Sequence, residues 1–220
     1  MANPTVVTHL KEPVRAEQKS EAYLDLLQML TGAALILFMW SHMILVASVN
    51  LGSGVMNAIA GFLEHHYLAQ TGGPVIGFLF LLHFVMAARK IPFRNREQAV
   101  MWYHTMRLNH LDTWLWIVQV LTAFIILIMG SIHMWTVLTD LPITAAKSAA
   151  RIQGGWWLLF YIILLPLVEL HVGIGFYRIG VKWGWIKRAN RAFFSRFENR
   201  LSMTFIIIGL ITLFTFFFIM

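Results

Sequence analysis

Five long runs of this chain are almost free of charge, roughly 25–50, 73–91, 113–139, 154–182 and 202–220. A helix crosses the hydrocarbon of a bilayer with about 20 such residues. The pattern therefore predicts an all-α integral membrane bundle of five spans, one domain over residues 1–220, with its termini on opposite sides of the membrane. Segment 55–70 is too short to span and reads as a helix lying at the interface. Gly72-Gly73-Pro74 predicts the start of the second span, with proline in its first turn. Asp112 or Thr113 is expected to cap the third, Gly154-Gly155 precedes the fourth, and Pro166 should kink it. Residues 1–24 form a polar head whose Lys11, Glu12, Arg15, Glu17, Lys19 and Glu21 leave no apolar core for a signal peptide. No internal repeat stands out.

Composition agrees with a lipid environment. The sequence is 59% hydrophobic and 12% charged, with 17 Phe and 9 Trp, whereas soluble domains carry about 25% charged residues. A net charge of +7 would suit a nucleic-acid binder if the basic residues formed a patch. Instead 15 of the 17 Lys and Arg fall in the head, the 89–107 loop and the 178–200 segment, and 2 fall in the 140–153 loop. The positive-inside rule then makes the N-terminus, the second loop and the fourth loop cytoplasmic and turns the C-terminus outward, with lipid rather than nucleic acid as the surrounding partner. The absence of cysteine excludes thiolate zinc sites, cysteine-held iron–sulfur clusters and c-type haem attachment.

Histidine carries the chemistry. His42, His83, His133 and His171 lie one on each of the first four spans, where a polar ring needs a partner. A single membrane histidine would read as an interhelical hydrogen-bonding residue. Counted from the cytoplasmic ends at 1.5 Å per residue, His42 and His133 lie ~25 and ~30 Å deep, and His83 and His171 ~12 and ~17 Å deep. Two bis-imidazole pairs stacked across the membrane, with no thiol or carboxylate to complete a zinc shell, suit the irons of two haems b. Gly130, Ser131, Ala87, Ala88, Gly173 and Gly175 flank the histidines and could admit a flat macrocycle, or simply close helix packing. Lys90, Lys182 and Trp116 on the inner side and Arg151 on the outer side could meet propionates. Glu169 is the deep carboxylate within a span, either a proton relay or a hydrogen-bonded structural acid. Glu64, with His65 and His66, sits on the outer interfacial segment, where a proton acceptor would serve quinol oxidation. His104 and His110 read as surface residues.

Ser41-His42-Met43, His83 with Ala87-Ala88-Arg89-Lys90, Gly130-Ser131-Ile132-His133, Val168-Glu169-Leu170-His171 and Tyr177-Arg178 through Lys182-Trp183-Gly184-Trp185 together give the chain a family resemblance. Over nearly all of residues 22–215 it resembles the diheme cytochrome b anchor of bacterial fumarate reductase and succinate:menaquinone oxidoreductase complexes, the five-helix type. The resemblance implies that His83 and His171 hold the haem nearer the hydrophilic subunits and His42 and His133 the distal one. It implies Gln28, Trp116 and Lys182 as partners of the proximal propionates, with Lys90 and Arg151 also on propionate sides. Glu64 would line a menaquinol cavity, and Glu169 would lie on a transmembrane proton path. Met29 stands where the family can carry Ser, and Pro166 replaces a non-proline residue.

The same resemblance implies an iron–sulfur subunit and an FAD-containing flavoprotein on the cytoplasmic side, a dimer of such heterotrimers, and a place in the bacterial inner membrane. With no dinucleotide fingerprint and no cluster ligands in this sequence, the dicarboxylate chemistry would belong to those partners. The complex could run toward fumarate reduction or succinate oxidation. The competing readings are a cytochrome b of a hydrogenase or formate dehydrogenase, and a channel or transporter with a polar lining.

Overall fold

The computed structural model describes residues 11–108 and 110–219, and among them every regular element is helical. Eight α-helices follow in order: α1 Lys11–Ala47, α2 Ser53–His65, α3 Leu68–Ala88, α4 Asn95–Leu108, α5 Leu111–Leu138, α6 Ala145–Gln153, α7 Trp156–Lys182 and α8 Arg191–Phe214. Short 3-10 turns cover Ser48–Leu51 and Arg188–Asn190, and a π-turn covers Thr215–Ile219. Five helices, α1, α3, α5, α7 and α8, are long and apolar enough to cross a membrane. Their outward side chains agree with this: Leu37, Phe78 and Ile128 are 64–65% exposed in the middle of apolar spans, a surface that lipid or a partner subunit would cover.

The helix boundaries depart from expectation in four places, each for a local reason. Residues 1–10 of the expected head lie outside the described residues, but from Lys11 onward it is helix, continuous with the first span. Glu, Lys, Gln and Ala are good helix formers, and polarity alone does not end a helix. The second span starts at Leu68, so Gly72-Gly73-Pro74 lies within it and not at its edge. Its entrance is set by Tyr67, which takes a left-handed turn at φ 56° out of α2. The third span is capped by neither Asp112 nor Thr113: His110 Nδ1 accepts the Asp112 backbone N–H at 3.2 Å. The fifth begins at Arg191 rather than 202, and α7 runs from Trp156 to Lys182 as one helix through Pro166. Gly155, at φ 79°, forms the N-cap of α7 as the Gly154-Gly155 pair suggested.

In the bundle α1 packs on α3, α5 on α7, and α8 lies along α7 while touching α1. At the end away from most of the basic residues, Val49, Met56, Ala145, Ala149, Ile152 and Phe216 form a small apolar core. There the interfacial helix α2 is fastened to the chain entering α6. Asn57 Oδ1 accepts the Ala145 N–H at 2.8 Å, and the Glu64 carboxylate accepts the Ile143 N–H. The first satisfies a donor that the start of α6 leaves free, and the second holds the residue ahead of its cap, Thr144.

Candidate haem-binding site

The four span histidines line one cavity of about 920 Å³ between α1, α3, α5 and α7. His42 and His133 face each other toward the far end, with ring centres 5.9 Å apart. His83 and His171 line its basic half. Three of the four rings are held at Nδ1 by a hydroxyl from a neighbouring helix. Thr31 Oγ1 lies 3.1 Å from His83, Thr122 Oγ1 3.0 Å from His171, and Tyr161 Oη 2.9 Å from His133. His42 has no hydrogen-bonding partner among the described residues and stacks on Phe38 at 5.7 Å. An anchored Nδ1 aims the opposite nitrogen, Nε2, and that is how metal-binding histidines are oriented.

None of the three hydroxyls was singled out in the sequence, yet a signal exists. Thr31 precedes His42 by 11 residues, and Thr122 precedes His133 by the same interval. Eleven residues are close to three turns, so each pair shares one helix face about 16 Å apart. One helix therefore serves both histidine pairs. Gly32 belongs to the same arrangement, because a Cβ there would meet His83 Cε1 at 2.9 Å.

Gln28, Lys90, Trp116, Arg151 and Lys182 all line the cavity. Gln28 Oε1 is buried without a partner among the described residues. Lys90 and Lys182 reach Asp25 at 2.5 and 2.7 Å, and Arg89 joins them at 2.5 Å. Asp25, at the edge of an apolar run, reads in sequence as an ordinary boundary charge. Even with Glu21 at 3.5 Å from Arg89, three cations face two carboxylates here. At the far end Arg151 pairs with Asp140 at 2.8 Å. Lys147 and then Arg151 hold the Asp140 carboxyl below its ordinary range.

Of the small flanking residues, Ala87, Ala88, Gly130 and Gly175 line the cavity. Ser131 does not; it donates to its own helix at Leu127 O, 2.6 Å. Gly173 instead makes room for Glu198 of α8. Glu198 corrects a second expectation, that Glu169 is the sole deep carboxylate: α8 starts early enough to bury it, at 7% exposed. Glu169 is 1% exposed, and neither of its carboxylate oxygens has a hydrogen-bonding partner among the described residues. Ser202 Oγ lies 3.4 Å from both the Glu169 carbonyl and Glu198 Oε1. Glu64 is half-buried beside the cavity without lining it. His65 and His66 are exposed and pack on each other at 5.1 Å, and His104 is exposed on α4.

Residues 95–219, covering α4 to the C-terminal π-turn, match the succinate dehydrogenase/fumarate reductase transmembrane subunit family. The chain belongs to this family. It is 36% identical over 201 residues to the fumarate reductase cytochrome b subunits of two strains of Helicobacter pylori, covering 87% of this chain and 78% of theirs. The corresponding subunit of Wolinella succinogenes is 33% identical over 213 residues, 91% of this chain and 83% of that one. Membership in the succinate dehydrogenase/fumarate reductase family bears out the expected resemblance to a fumarate reductase cytochrome b anchor and displaces the hydrogenase, formate dehydrogenase and transporter readings.

A cytochrome b of this family needs a place for haem b, and the residues present fit it. The histidines come as pairs, and among the described residues no three His, Asp or Glu side chains converge as a bare metal's shell would require. The walls are largely apolar. The basic mouth offers cations in excess of carboxylates, as propionates would need.

Proposed function

We propose that this subunit carries electrons between menaquinol and a cytoplasmic iron–sulfur partner, with fumarate reduced at a flavoprotein beyond it. The observation that carries the reading is the pairing of four histidines along one apolar cavity, three of them held at Nδ1. His83 and His171 would hold one haem b and His42 and His133 a second; bound there, the two supply one-electron carriers between the ends of the bundle. Gln28, Trp116, Lys90 and Lys182 would bind the carboxylates of the inner group and Arg151 those of the outer. Asp25 then shares its lysines with a ligand rather than holding them alone.

The excess of Lys and Arg on one side supports a cytoplasmic N-terminus, an outward C-terminus and docking of the soluble subunits on the basic face; a bacterial inner membrane and a dimer of heterotrimers are what the family likeness adds to this reading. Oxidation of a quinol releases two protons with its two electrons. On this reading Glu64, at the far boundary, takes a quinol proton and passes it to water, while Glu169 holds a proton within the bundle. A redox titration with haem quantification, joined to fumarate and succinate assays of the intact complex, tests the reading. Two haems per chain with menaquinol-driven fumarate reduction is the expected result. One haem per chain would overturn it.

A further inference from the structure

We infer that Thr31 and Thr122 are positioning residues that lock His83 and His171 as Nδ1–H tautomers, leaving Nε2 as the only nitrogen able to bind iron. This rests on the two-haem reading above. A threonine hydroxyl has one proton. Thr31 Oγ1 lies 2.9 Å from the Leu27 carbonyl and 3.1 Å from that of Gln28. Thr122 Oγ1 lies 2.8 and 3.1 Å from the carbonyls of Val118 and Gln119. Two oxygens that close repel unless a proton lies between them, so each hydroxyl proton belongs to its own helix. Toward the imidazole the oxygen can then only accept, and the ring must donate from Nδ1. Both threonines are 4% exposed, so no water competes for the contact.

The two sites are copies of one device. His83 on α3 takes its acceptor from α1, and His171 on α7 takes its acceptor from α5, each from the threonine 11 residues ahead of the other pair's histidine. The far pair lacks this symmetry. Tyr161 stands 10 residues before His171, and the residue 10 before His83 is Gly73, which has no side chain to offer His42. Among the described residues no helix carbonyl holds the Tyr161 proton. The tautomer is thus fixed twice in the basic half and not in the same way in the far half.

Accepting the Nδ1 proton makes an imidazole a stronger donor to iron and favours the oxidised metal. Thr31→Val and Thr122→Val keep the side-chain shape and remove the hydroxyl acceptor, leaving only the backbone carbonyls of Gln28 and Gln119 beside the rings. In the intact complex each should shift the midpoint potential of the inner haem upward and change its low-spin electron paramagnetic resonance g-values, with the outer haem unchanged. Thr31→Ser and Thr122→Ser should restore both values. Loss of the inner haem alone in the Val variants, with retention in the Ser variants, would equally support the role. Unchanged potential and g-values in both Val variants would overturn it, as would equal shifts at both haems or loss of the inner haem in the Ser variants. The unsubstituted complex separates this from the underlying reading: fewer than two bis-histidine haems there would refute that reading before any variant is made.

Discussion

The basic and far halves of the bundle use the same two pairs of helices but hold their histidines differently. In the basic half both rings rest on threonines whose protons are committed to backbone carbonyls. In the far half one ring meets a tyrosine hydroxyl, and the other has only aromatic neighbours, Phe38 and His133. The basic half is fastened by charge, with Asp25 joining α1 to α3 and α7. The far half is fastened by a small core and by backbone donors bound to Asn57 and Glu64. The difference teaches that two histidine pairs carried by the same helices need not have equal surroundings. What breaks the likeness is a single exchange, Gly73 where the other hairpin has Tyr161.

The sharpest way to break the comparison is to remove a histidine. His42→Ala or His133→Ala should halve the haem yield and leave the basic-half site loaded, while His83→Ala or His171→Ala should do the reverse. Pyridine haemochrome quantification reads this directly, and loss of both haems in every variant would show that the halves do not load separately.

Next in size is Glu64→Gln, confined to the far half. Glutamine keeps an oxygen to accept the Ile143 N–H, so the clamp on α2 survives while the basicity is gone. Menaquinol-driven fumarate reduction should fall at least tenfold, with reduction by a donor that feeds the soluble subunits unchanged. Full quinol activity would move the quinol site elsewhere.

Gly32→Ala probes the basic half by volume. Its new methyl must displace the His83 ring, which is neither long nor flexible. Overpacking of this kind costs about 1–3 kcal/mol, so thermal stability should fall and the inner haem's spectrum should change while the outer one's does not. Glu169→Leu should do the opposite to stability. A buried carboxyl with no partner costs roughly 1–3 kcal/mol, and removing it should raise the melting temperature while slowing quinone-linked turnover; an unchanged turnover would leave Glu169 a structural residue.

The smallest effect belongs to Asp140 at the far surface. Its carboxyl is depressed in the folded chain, so its pairing with Lys147 and Arg151 contributes above the ordinary aspartate range and is lost as pH falls through the lowered value. Asp140→Asn should abolish that acid-side response and leave stability at neutral pH nearly unchanged, because exposed ion pairs contribute little. A large loss at neutral pH would show Arg151 to depend on it.

Much of this was readable beforehand because lipid simplifies the code. Long apolar runs locate spans, and one histidine on each of the first four suggests a pairing by depth, within which His42 and His133 lie 5.9 Å apart. Helix ends were less legible. The head from Lys11 and the stretch from Arg191 are polar yet helical, so hydropathy set the boundaries too far in and hid Glu198. The hydroxyls were hidden for another reason: Thr31 and His83 are 52 residues apart, and only the recurrence of the 11-residue interval on α1 and α5 betrays them. That recurrence repeats two residues, Thr and His, at one interval, while every residue between them differs.

Helix α1 is 37 residues long, about 55 Å at 1.5 Å per residue, against a hydrocarbon layer of about 30 Å. It is a beam longer than the membrane is thick, and Asp25 rivets it to two other helices. Thr31 lies six residues further in, about 9 Å along the same rigid element. A twist applied to the protruding end would be resisted at Asp25 and felt next at the Thr31–His83 contact, so the beam links mechanical load at the basic surface to the seating of one imidazole.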